Sequence, residues 1–472
     1  MTSAVPGPDY AAYLGQQRWF GGKGRAYTVT GTTTVARLQD ESEDRPEVRL
    51  VVVHVAYEDG DTETYQLPLV AYAEPVEYLA HVLLGEETSA RGRRLLYDAL
   101  HDKEVTGLWV DGIAGDRTVA DLAFHRDPTA TELPPGGPSI VVGAEQSNTS
   151  LIFGDSLILK VFRKVSPGLN PDIEVHSALA RAASPHIAVP LGWLDGSWTD
   201  PASGERVTAS LAMAQVFLKD ATEGWELALT SVRDLYAEAD LHADEVGGDF
   251  AGEAERLGRA TAEVHAALAE VLPTARLDRK ELTALADGMR ARLERTATEV
   301  PDLAPFVDGL RAAFDDLAAF DGPVHVQRVH GDFHLGQVMR TLQGWKLLDF
   351  EGEPARPLED RRALESPVKD VAGMLRSFDY AARHLLADHP PGTQRAYRGV
   401  EWAERNREAF LDGYAAAGLS DPREQPVLLR AFETDKAVYE VLYEARNRPT
   451  WLQIPMAAIS RLATQTAKEQ ST

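Results

Sequence analysis

The residues whose types and spacing could carry out chemistry are concentrated in the segment His330–Glu351. Asp332 and Gln337 lie five positions apart, and Asp349 follows Asp332 by seventeen residues. Short apolar pairs on either side of Gly344 predict a β-hairpin between Gln337 and Asp349. A loop, a hairpin and a second loop of this length would bring the three side chains to one end of a small sheet.

Phosphoryl transfer needs a set of this kind. One carboxylate orients and deprotonates the attacking hydroxyl, while an oxygen donor and a second carboxylate hold a metal ion. We therefore interpret Asp332 as the catalytic base, and Gln337 and Asp349 as ligands of Mg²⁺. Protein kinases place asparagine at the position of Gln337, so glutamine is a less usual donor.

Three further residues near this segment have structural or substrate-binding interpretations. His330 is interpreted as a structural residue that positions the loop. For His334, contact with the substrate and packing of the loop are both open, and we retain it as a substrate candidate. Asp370 is expected to anchor the catalytic loop rather than to touch the substrate.

A lysine at the end of an apolar strand could supply the cation that phosphates require. Lys160 ends the run LIFGDSLILK, where an ammonium group needs an anionic partner. The phosphates of ATP and a helix carboxylate both qualify. Glu174, near the start of the next predicted helix, is our candidate for that carboxylate.

The turn before this strand contains no glycine-rich phosphate loop. Consecutive polar residues offer hydroxyl, amide and backbone N–H donors to ATP phosphates instead, namely Ser147, Asn148, Thr149 and Ser150. Further on, an apolar strand over residues 212–218 would serve as the hinge between two lobes. Its backbone groups at Gln215, Val216 and Phe217 are expected to bind adenine.

Composition limits the classes of protein that fit. The 472 residues carry 48 basic and 73 acidic side chains, a formal net charge of -25, which disfavours nucleic acid and anionic membranes as partners. The absence of cysteine excludes disulfides and thiolate metal sites and fits a reducing cytosol. No signal peptide and no membrane span are expected. We therefore expect a cytoplasmic protein.

The pattern of elements indicates a β-rich first half and a helical second half with one small β insertion. A hairpin is predicted from strands 48–57 and 62–72, followed by helices over 75–84 and 91–100. A Pro/Gly loop at 131–138 precedes further strands at 139–142, 150–153, 157–162, 188–194 and 209–217, with one helix over 171–183. Helices then dominate, including 252–271, 276–299 and the region after 368, apart from short strands within 322–352.

Together these pieces resemble the eukaryotic-like kinase superfamily, which includes aminoglycoside phosphotransferases, and more closely the actinobacterial maltokinases. The stretches that carry the resemblance are spread over almost the whole chain: Gln17–Arg25, His330–Gln337, residues 348–354, Ser366–Met374 and Asp435–Arg446. The resemblance implies an α+β, bilobal, protein-kinase-like fold. Its parts would be an N-terminal β-rich cap (1–90), a kinase-like intermediate subdomain (91–218) and a mainly helical C-lobe with the catalytic loop (219–472).

The resemblance also implies an activity. The γ-phosphoryl group of ATP would pass, with Mg²⁺, to the anomeric hydroxyl of maltose, giving maltose 1-phosphate for α-glucan and glycogen synthesis. A functional link to trehalose synthase follows from the same resemblance. Glu351 replaces the glycine of the DFG motif of protein kinases, fits the maltokinase pattern and is retained as a substrate-side candidate. A protein substrate is not expected because no activation-loop phosphosite is evident.

The sugar site is predicted on a helix near the C-terminus. Lys436, Tyr439, Tyr443 and Arg446 follow one another at spacings of three, four and three residues, so they would share one helix face. Aromatic faces and charged hydrogen-bonding groups are suited to sugars. The competing interpretation is a surface helix held by salt bridges.

Two other functions stay open at this point. A kinase of the same fold could act on glucosamine, another hexose or an aminoglycoside, and a more acidic acceptor pocket would favour an amino sugar. A catalytically inactive kinase fold could instead serve as a binding or scaffold protein. The joint presence of Lys160, Asp332 and Asp349 argues against the inactive fold.

Overall fold

The computed structural model describes residues 8–89, 91–143, 147–238, 240–353, 356–386 and 393–465. The chain divides into two compact units. The N-terminal unit comprises residues 1–180 and 188–219, and the C-terminal unit comprises residues 181–187 and 220–472. Strands dominate the first unit and helices the second, so the predicted α+β class is confirmed.

The N-terminal unit contains two antiparallel sheets and a few helices. Its helices are α1 (Tyr10–Gln16), α2 (Gly107–Ala114) and α3 (Pro171–Arg181), with 3₁₀ turns at Glu77–Val82 and Ala99–His101. The first sheet is built from β1 (Tyr27–Gln39), β2 (Glu47–Tyr57), β3 (Thr62–Tyr72), β4 (Leu83–Ser89), β5 (Gly92–Asp98) and the later β11 (Lys164–Val165). The second contains β6 (Thr118–Val119), β7 (Leu122–Arg126), β8 (Ser139–Val141), β9 (Asn148–Phe153), β10 (Leu157–Phe162), β12 (Pro190–Thr199) and β13 (Arg206–Val216).

The first sheet has the strand order β1-β2-β3-β5-β4, with β11 beside β3. The hairpin predicted for residues 48–57 and 62–72 is confirmed, since β2 and β3 pair antiparallel with Val52 opposite Gln66. The valine run of β2 is buried on both faces of the sheet. This burial explains why β2 shows no alternation of apolar and polar residues.

The helices expected over residues 75–84 and 91–100 are wrong in part. A 3₁₀ turn covers Glu77–Val82, and residues 92–98 form strand β5, which lies between β3 and β4. Leu95, Leu96 and Tyr97 are all buried in this sheet. A short apolar run fits a buried strand and a helix equally well by its pattern, and here the neighbouring strands decide.

The second sheet has the order β6-β7-β12-β13-β10-β9-β8. Lys160 lies on β10, in register with Ser150 on β9 and with Met213 on β13. The helix predicted after this hairpin is confirmed as α3. One apolar cluster runs through both sheets of the N-terminal unit and includes Leu67 and Leu151.

The C-terminal unit is mainly helical. Its helices are α4 (Gly224–Ala237), α5 (Ala251–Val271), α6 (Arg279–Glu299), α7 (Val307–Ala319), α8 (Leu358–Arg361), α9 (Val368–His384), α10 (Gln394–Ala416), α11 (Pro426–Asn447) and α12 (Gln453–Thr464). Short 3₁₀ turns lie at Pro301–Phe306, Leu335–Gln337, Pro422–Glu424 and Pro449–Trp451. Its strands are β14 (Thr222–Glu223), β15 (Ala275–Leu277), β16 (Val324–Val326), β17 (Val338–Thr341) and β18 (Gly344–Leu347).

The hairpin predicted on either side of Gly344 is confirmed. Strands β17 and β18 pair antiparallel, with Val338 opposite Leu347. The Leu348 amide donates to the Gln337 carbonyl at 2.9 Å, which extends the pairing by one step. The hairpin therefore sets Gln337 directly across from the residue that precedes Asp349.

Two packing features position the long helices. Aromatic side chains form the core between α9 and α10, with ring centroids of Phe378 and Phe410 6.0 Å apart and those of Phe378 and Trp402 6.2 Å apart. Helix α10 also crosses α5 closely, because a Cβ atom at Gly413 would overlap the carbonyl oxygen of Glu255. Only glycine permits this crossing, which brings side chains of α5 and α10 together beneath the catalytic loop.

A buried ionic network holds α11 in place. The Arg376 guanidinium on α9 donates to Glu440 on α11 at 2.7 Å and to Asp379 at 2.6 Å. Arg407 of α10 donates to Glu433 on α11 at 2.7 Å. Buried charges are tolerated when paired in this way, and the pairing fixes the position of α11.

Among the described residues, none of the helices is both long enough and apolar enough to cross a membrane.

Candidate active site

The catalytic loop is held by a buried carboxylate on α9. The Asp370 side chain accepts hydrogen bonds from the His330 amide at 2.7 Å and from the Gly331 amide at 2.9 Å. His265 of α5 lies 3.0 Å from the same carboxylate and 2.9 Å from the hydroxyl of Tyr414 on α10. Burial alone would raise the pKa of Asp370, but His265 and the loop amides lower it below its ordinary value. The prediction that Asp370 anchors the loop is confirmed.

Glycine is required where the loop turns. Gly331 has a φ of 84°, in the left-handed region that favours glycine. A Cβ atom there would come within 3.2 Å of the Cα atom of Gly352. The backbone just before Asp332 therefore passes close to the chain that follows Asp349.

His330 joins the catalytic loop to the strand end that carries Asp349. Its Nε2 donates to the Leu348 carbonyl at 2.8 Å, and its ring packs against those of Phe333 and Phe350 with centroids 5.2 and 4.9 Å away. The side chain is buried. The structural interpretation of His330 is confirmed.

Asp332 forms an ion pair with Lys436 of α11. The Lys436 ammonium donates to Asp332 Oδ1 at 3.0 Å. Burial would raise the pKa of Asp332, but the charge of Lys436 more than offsets it and holds the pKa well below its usual range. Burial would lower the pKa of Lys436, and Asp332 and Glu353 raise it above the ordinary value. Both groups are therefore charged at neutral pH.

Gln337 and Asp349 offer oxygen ligands close to one another. Gln337 Nε2 lies 3.5 Å from Asp349 Oδ2, and both side chains are partly exposed. Asp349 has a φ of 62°, a left-handed conformation that is uncommon for residues other than glycine, although aspartate and asparagine adopt it more readily than most. An amide oxygen and a carboxylate are the hard donors that Mg²⁺ prefers, so the two residues fit this ion.

His334 caps the short 3₁₀ turn that ends at Gln337. Its Nδ1 accepts a hydrogen bond from the Gly336 amide at 3.0 Å. Burial lowers the pKa of His334 to about 4, although the nearby Asp332 carboxylate acts in the opposite direction. The ring is therefore neutral at pH 7, with its proton on Nε2. Loop packing is shown, and contact with the substrate stays a prediction.

Glu351 lies beside an arginine of α8. Arg361 Nη1 donates to the Glu351 carbonyl at 3.2 Å and lies 3.8 Å from its carboxylate. The contact holds the chain that follows Asp349. The assignment of Glu351 to the substrate stays a prediction.

A small cavity opens beside the Asp332–Lys436 pair within the C-terminal unit. Its lining comes from the catalytic loop, from helices α6, α9 and α11 and from residue 353: Arg292, Gly331, Asp332, Phe333, Glu353, Lys369, Asp370, Gly373, Phe432, Asp435, Lys436 and Tyr439. Two of the predicted sugar residues, Lys436 and Tyr439, lie here. The sequence interpretation assigned no role to Glu353, although it stands in the stretch that carries the family resemblance, and Arg292 gave no sequence signal at all.

The two outer residues of the predicted sugar face, Tyr443 and Arg446, make different contacts. Tyr443 stacks on Tyr439, with ring centroids 6.3 Å apart and planes at 24°, and it is 42% exposed. Arg446 forms a bidentate ion pair with Glu299 of α6, at 2.6 and 2.9 Å. The contact of Arg446 agrees with the competing interpretation, a surface helix held by salt bridges. Its contact with a sugar stays a prediction.

In the N-terminal unit, the Lys160 ammonium lies 3.3 Å from a carboxylate of α3. That carboxylate belongs to Asp172, which is buried and lies 2.9 Å from His176 Nδ1. Asp172 and Glu174 both stand in the first turn of α3, and the sequence interpretation chose Glu174. The prediction that Glu174 faces Lys160 stays a prediction.

The polar residues before Lys160 begin a strand rather than forming a turn. Strand β9 starts at Asn148, two residues earlier than expected, and Asn148, Thr149 and Ser150 are buried, whereas Ser147 is exposed. The Thr149 hydroxyl accepts a hydrogen bond from the buried Arg163 at 2.8 Å. Residues 144–146 of this turn lie outside the described residues. A role for these four side chains at phosphates stays a prediction.

The segment predicted as the hinge already uses two of its backbone donors. The Val216 amide donates to the Val189 carbonyl at 2.9 Å, and the Phe217 amide donates to the Ser156 carbonyl at 3.0 Å. Gln215 and Val216 lie at the end of β13. Adenine binding at Gln215, Val216 and Phe217 stays a prediction, and an N–H donor to the base would come from another position in the segment.

Comparison with protein families decides the class. Residues 13–102 match the maltokinase N-terminal cap domain, and residues 141–424 match the phosphotransferase enzyme family. The second match covers more than half of the chain. The chain belongs to the phosphotransferase enzyme family. This phosphotransferase also carries a maltokinase-type cap, so the family resemblance inferred from the sequence is confirmed.

Two curated relatives are similar over most of this phosphotransferase. A glucosamine kinase of Streptacidiphilus jiangxiensis is 28% identical over 376 residues, which cover 76% of this chain and 81% of the relative. A glucosamine kinase of Mycolicibacterium smegmatis is 28% identical over 331 residues, covering 68% and 78% respectively.

Solved structures show the same fold. A glucosamine kinase in complex with glucosamine, ADP and inorganic phosphate has a TM-score of 0.67 at 23% identity, covering 97% of this chain and 100% of that chain. A second crystal form of a glucosamine kinase has a TM-score of 0.69 at 22% identity, with the same coverage. The kinase-like architecture is therefore confirmed.

Proposed function

We propose that this phosphotransferase is an ATP- and Mg²⁺-dependent sugar kinase whose acceptor is maltose, phosphorylated at the anomeric hydroxyl. The observation that carries the proposal is Asp332, rigidly placed by Asp370 at the wall of a cavity lined by Lys436 and Tyr439. Maltose 1-phosphate would feed α-glucan and glycogen synthesis. A functional link to trehalose synthase belongs to the same proposal.

In the proposed reaction, an acceptor oxygen forms a bond to the γ-phosphorus of ATP while the bond from that phosphorus to the β–γ bridging oxygen breaks. Asp332 orients the acceptor hydroxyl and takes its proton, which then passes to solvent. The low pKa of Asp332 makes it a weak base, which a loose phosphoryl-transfer transition state tolerates because positioning dominates.

The other proposed site residues would bind the metal ion, the acceptor hydroxyl and the ATP phosphates. Gln337 and Asp349 would hold Mg²⁺, which when bound neutralises phosphate charge. Lys436 donates to Asp332, and an acceptor hydroxyl at this place would meet both a donor and an acceptor. Lys160, with Asp172 as its partner, is proposed as the cation for the ATP phosphates.

Maltose is preferred as the acceptor on the strength of the maltokinase-type cap and of the stretches that resemble maltokinases. Glucosamine is the second candidate, because the similar curated relatives are glucosamine kinases. Both acceptors present an anomeric hydroxyl and other ring hydroxyls. They differ in the ammonium group of glucosamine and in the second ring of maltose.

The test is ADP release by the full-length protein with ATP and Mg²⁺ over a panel of maltose, glucose, glucosamine and an aminoglycoside. Phosphorus NMR of the product identifies the phosphorylated oxygen. Maltose should give the highest kcat/KM and an anomeric phosphate, and Asp332→Asn should abolish turnover. Dominant turnover of glucosamine would replace the acceptor but keep the class, whereas no turnover with any sugar would favour a non-catalytic role.

A further inference from the structure

Glu353 differs from the other acidic residues that line the cavity beside Asp332. Asp332 pairs with Lys436 at 3.0 Å, and Asp435 pairs with Arg292 at 2.9 Å. Within the described ranges of the chain, no ion pair or hydrogen bond engages the Glu353 carboxylate. It is the acidic group of this lining that is left for a ligand.

The fourth acidic residue of the lining is also committed. Asp370 holds the His330 and Gly331 amides and contacts His265. The remaining cation, Lys369, pairs with Glu365 at 2.5 Å outside the lining. Each of the three cations in the lining therefore already has a carboxylate partner. Glu353 is the carboxylate of this lining that has none among the described residues.

Glu353 lines the same cavity as the Asp332–Lys436 pair. Its charge contributes to the raised pKa of Lys436, after the larger contribution of Asp332. It also contributes to the raised pKa of Asp435, behind burial and against Arg292. Glu353 thus acts on two neighbouring residues of α11 that line the cavity.

The chemistry of this arrangement suits a sugar hydroxyl. A sugar hydroxyl both donates and accepts, so a carboxylate beside an ammonium satisfies both functions at once. Glu353 and Lys436, which line the same cavity, offer these two kinds of group. An ammonium would also meet a carboxylate at Glu353, and the lining carries four acidic against three basic side chains, so the ammonium of an amino sugar is the alternative that the experiment distinguishes.

We propose that Glu353 is an acceptor-binding residue that accepts hydrogen bonds from the hydroxyls of an uncharged sugar acceptor. The proposal rests on the proposed sugar kinase function and adds the residue that reads the acceptor. It assigns Glu353 to acceptor binding and not to the phosphoryl-transfer step.

The experiment compares wild type, Glu353→Gln and Glu353→Ala with maltose and with glucosamine at pH 7.5, at saturating ATP and Mg²⁺. Glu359→Gln is the matched control, because this exposed residue of α8 undergoes the same loss of charge six positions away. Loss of a charge-assisted hydrogen bond should raise KM for maltose about tenfold to a hundredfold in Glu353→Gln, with kcat changed less than about threefold. Glu353→Ala should raise it at least as far, and thermal unfolding verifies that each variant folds.

The outcomes separate this inference from the proposed function. An unchanged KM for maltose in both folded Glu353 variants, with active wild type, would overturn the role of Glu353 alone. A loss confined to glucosamine would also overturn it, since Glu353 would then hold the ammonium. Wild type that turns over no sugar would overturn the proposed function and this inference together. A change in KM equal to that of Glu359→Gln would also overturn the inference, because it would show only the general effect of removing one negative charge.

Discussion

Lys436 Nζ donates to Asp332 Oδ1 at 3.0 Å, although the two residues are 104 positions apart in the chain. The contact joins the catalytic loop to helix α11 and sets the charge state of the proposed base. Burial would otherwise favour the neutral form of Asp332.

Replacing Lys436 with methionine should move the pH dependence of the enzyme. In the wild type the pKa of Asp332 lies well below its usual range, so Asp332 is ionised throughout pH 5–9 and sets no acid limit there. Without the ammonium, burial raises the pKa of Asp332, so kcat/KM should fall as the pH drops at the acid end of the profile. The measurement is kcat/KM for the sugar acceptor between pH 4.5 and 9.

Lys436→Arg serves as the control, because it keeps the positive charge. Its profile should stay flat at the acid end, even if its geometry lowers the overall rate. Superimposable profiles for Lys436→Met and the wild type would show that the ion pair does not set the ionisation of Asp332.

Substitutions of Asp349 should separate metal binding from backbone strain. Asp349 has a φ of 62°, which asparagine tolerates and alanine does not. Both variants should lose Mg²⁺-dependent turnover. Only Asp349→Ala should also be less stable, by about 1 kcal/mol. Activity as a function of Mg²⁺ concentration and urea unfolding measure the two effects, and equal stabilities would argue against strain at this residue.

His334 should make the protein more sensitive to acid. Its pKa in the folded protein is about 4, below the ordinary value near 6.5. The unfolded chain therefore binds a proton on His334 between pH 6.5 and 4 that the folded protein does not, and stability falls as the pH drops through this window. From pH 7 to pH 5 the loss from this residue is up to about 2 kcal/mol.

His334→Asn tests that prediction, since asparagine is also a preferred capping residue. The difference in unfolding free energy between pH 7 and pH 5 should be smaller in the variant than in the wild type. A difference as large as that of the wild type would assign the acid sensitivity to other groups.

Two arginines should differ sharply in their contribution to stability. Arg376 is fully buried and pairs with Glu440 and Asp379. Arg376→Met removes the ion-pair partner of the buried Glu440, whereas Asp379 keeps Arg461 at 3.2 Å, and the variant should cost about 3–5 kcal/mol. Arg446 pairs with Glu299 at the surface, so Arg446→Ala should cost about 1 kcal/mol or less.

Chemical denaturation of both variants measures this contrast. Sugar kinetics of Arg446→Ala test the remaining sequence prediction at the same time. An unchanged KM for the acceptor agrees with the surface ion pair, and a clear rise in KM would bring Arg446 into the sugar site. Similar stabilities of the two variants would contradict the role of the Arg376 network.

The hairpin that brings Gln337 close to Asp349 could be predicted from the sequence because it is local. Asp332, Gln337 and Asp349 lie within eighteen residues, and a two-stranded hairpin is the simplest way to connect them. The hairpin of β2 and β3 and helix α3 were predictable for the same reason, since pattern and turn signals act between neighbours.

Contacts between distant residues were decided only by the tertiary structure. The sequence by itself determined the reaction class, the hairpin and the acidic, cysteine-free character of the chain. Packing decided that β5 is a strand, that Asp172 lies beside Lys160 and that Arg446 turns to Glu299. It also left Glu353 without a partner within the described cavity lining. The physical reason is that an ion pair or a sheet edge depends on which surfaces meet in the fold, and neither residue type nor spacing encodes that meeting.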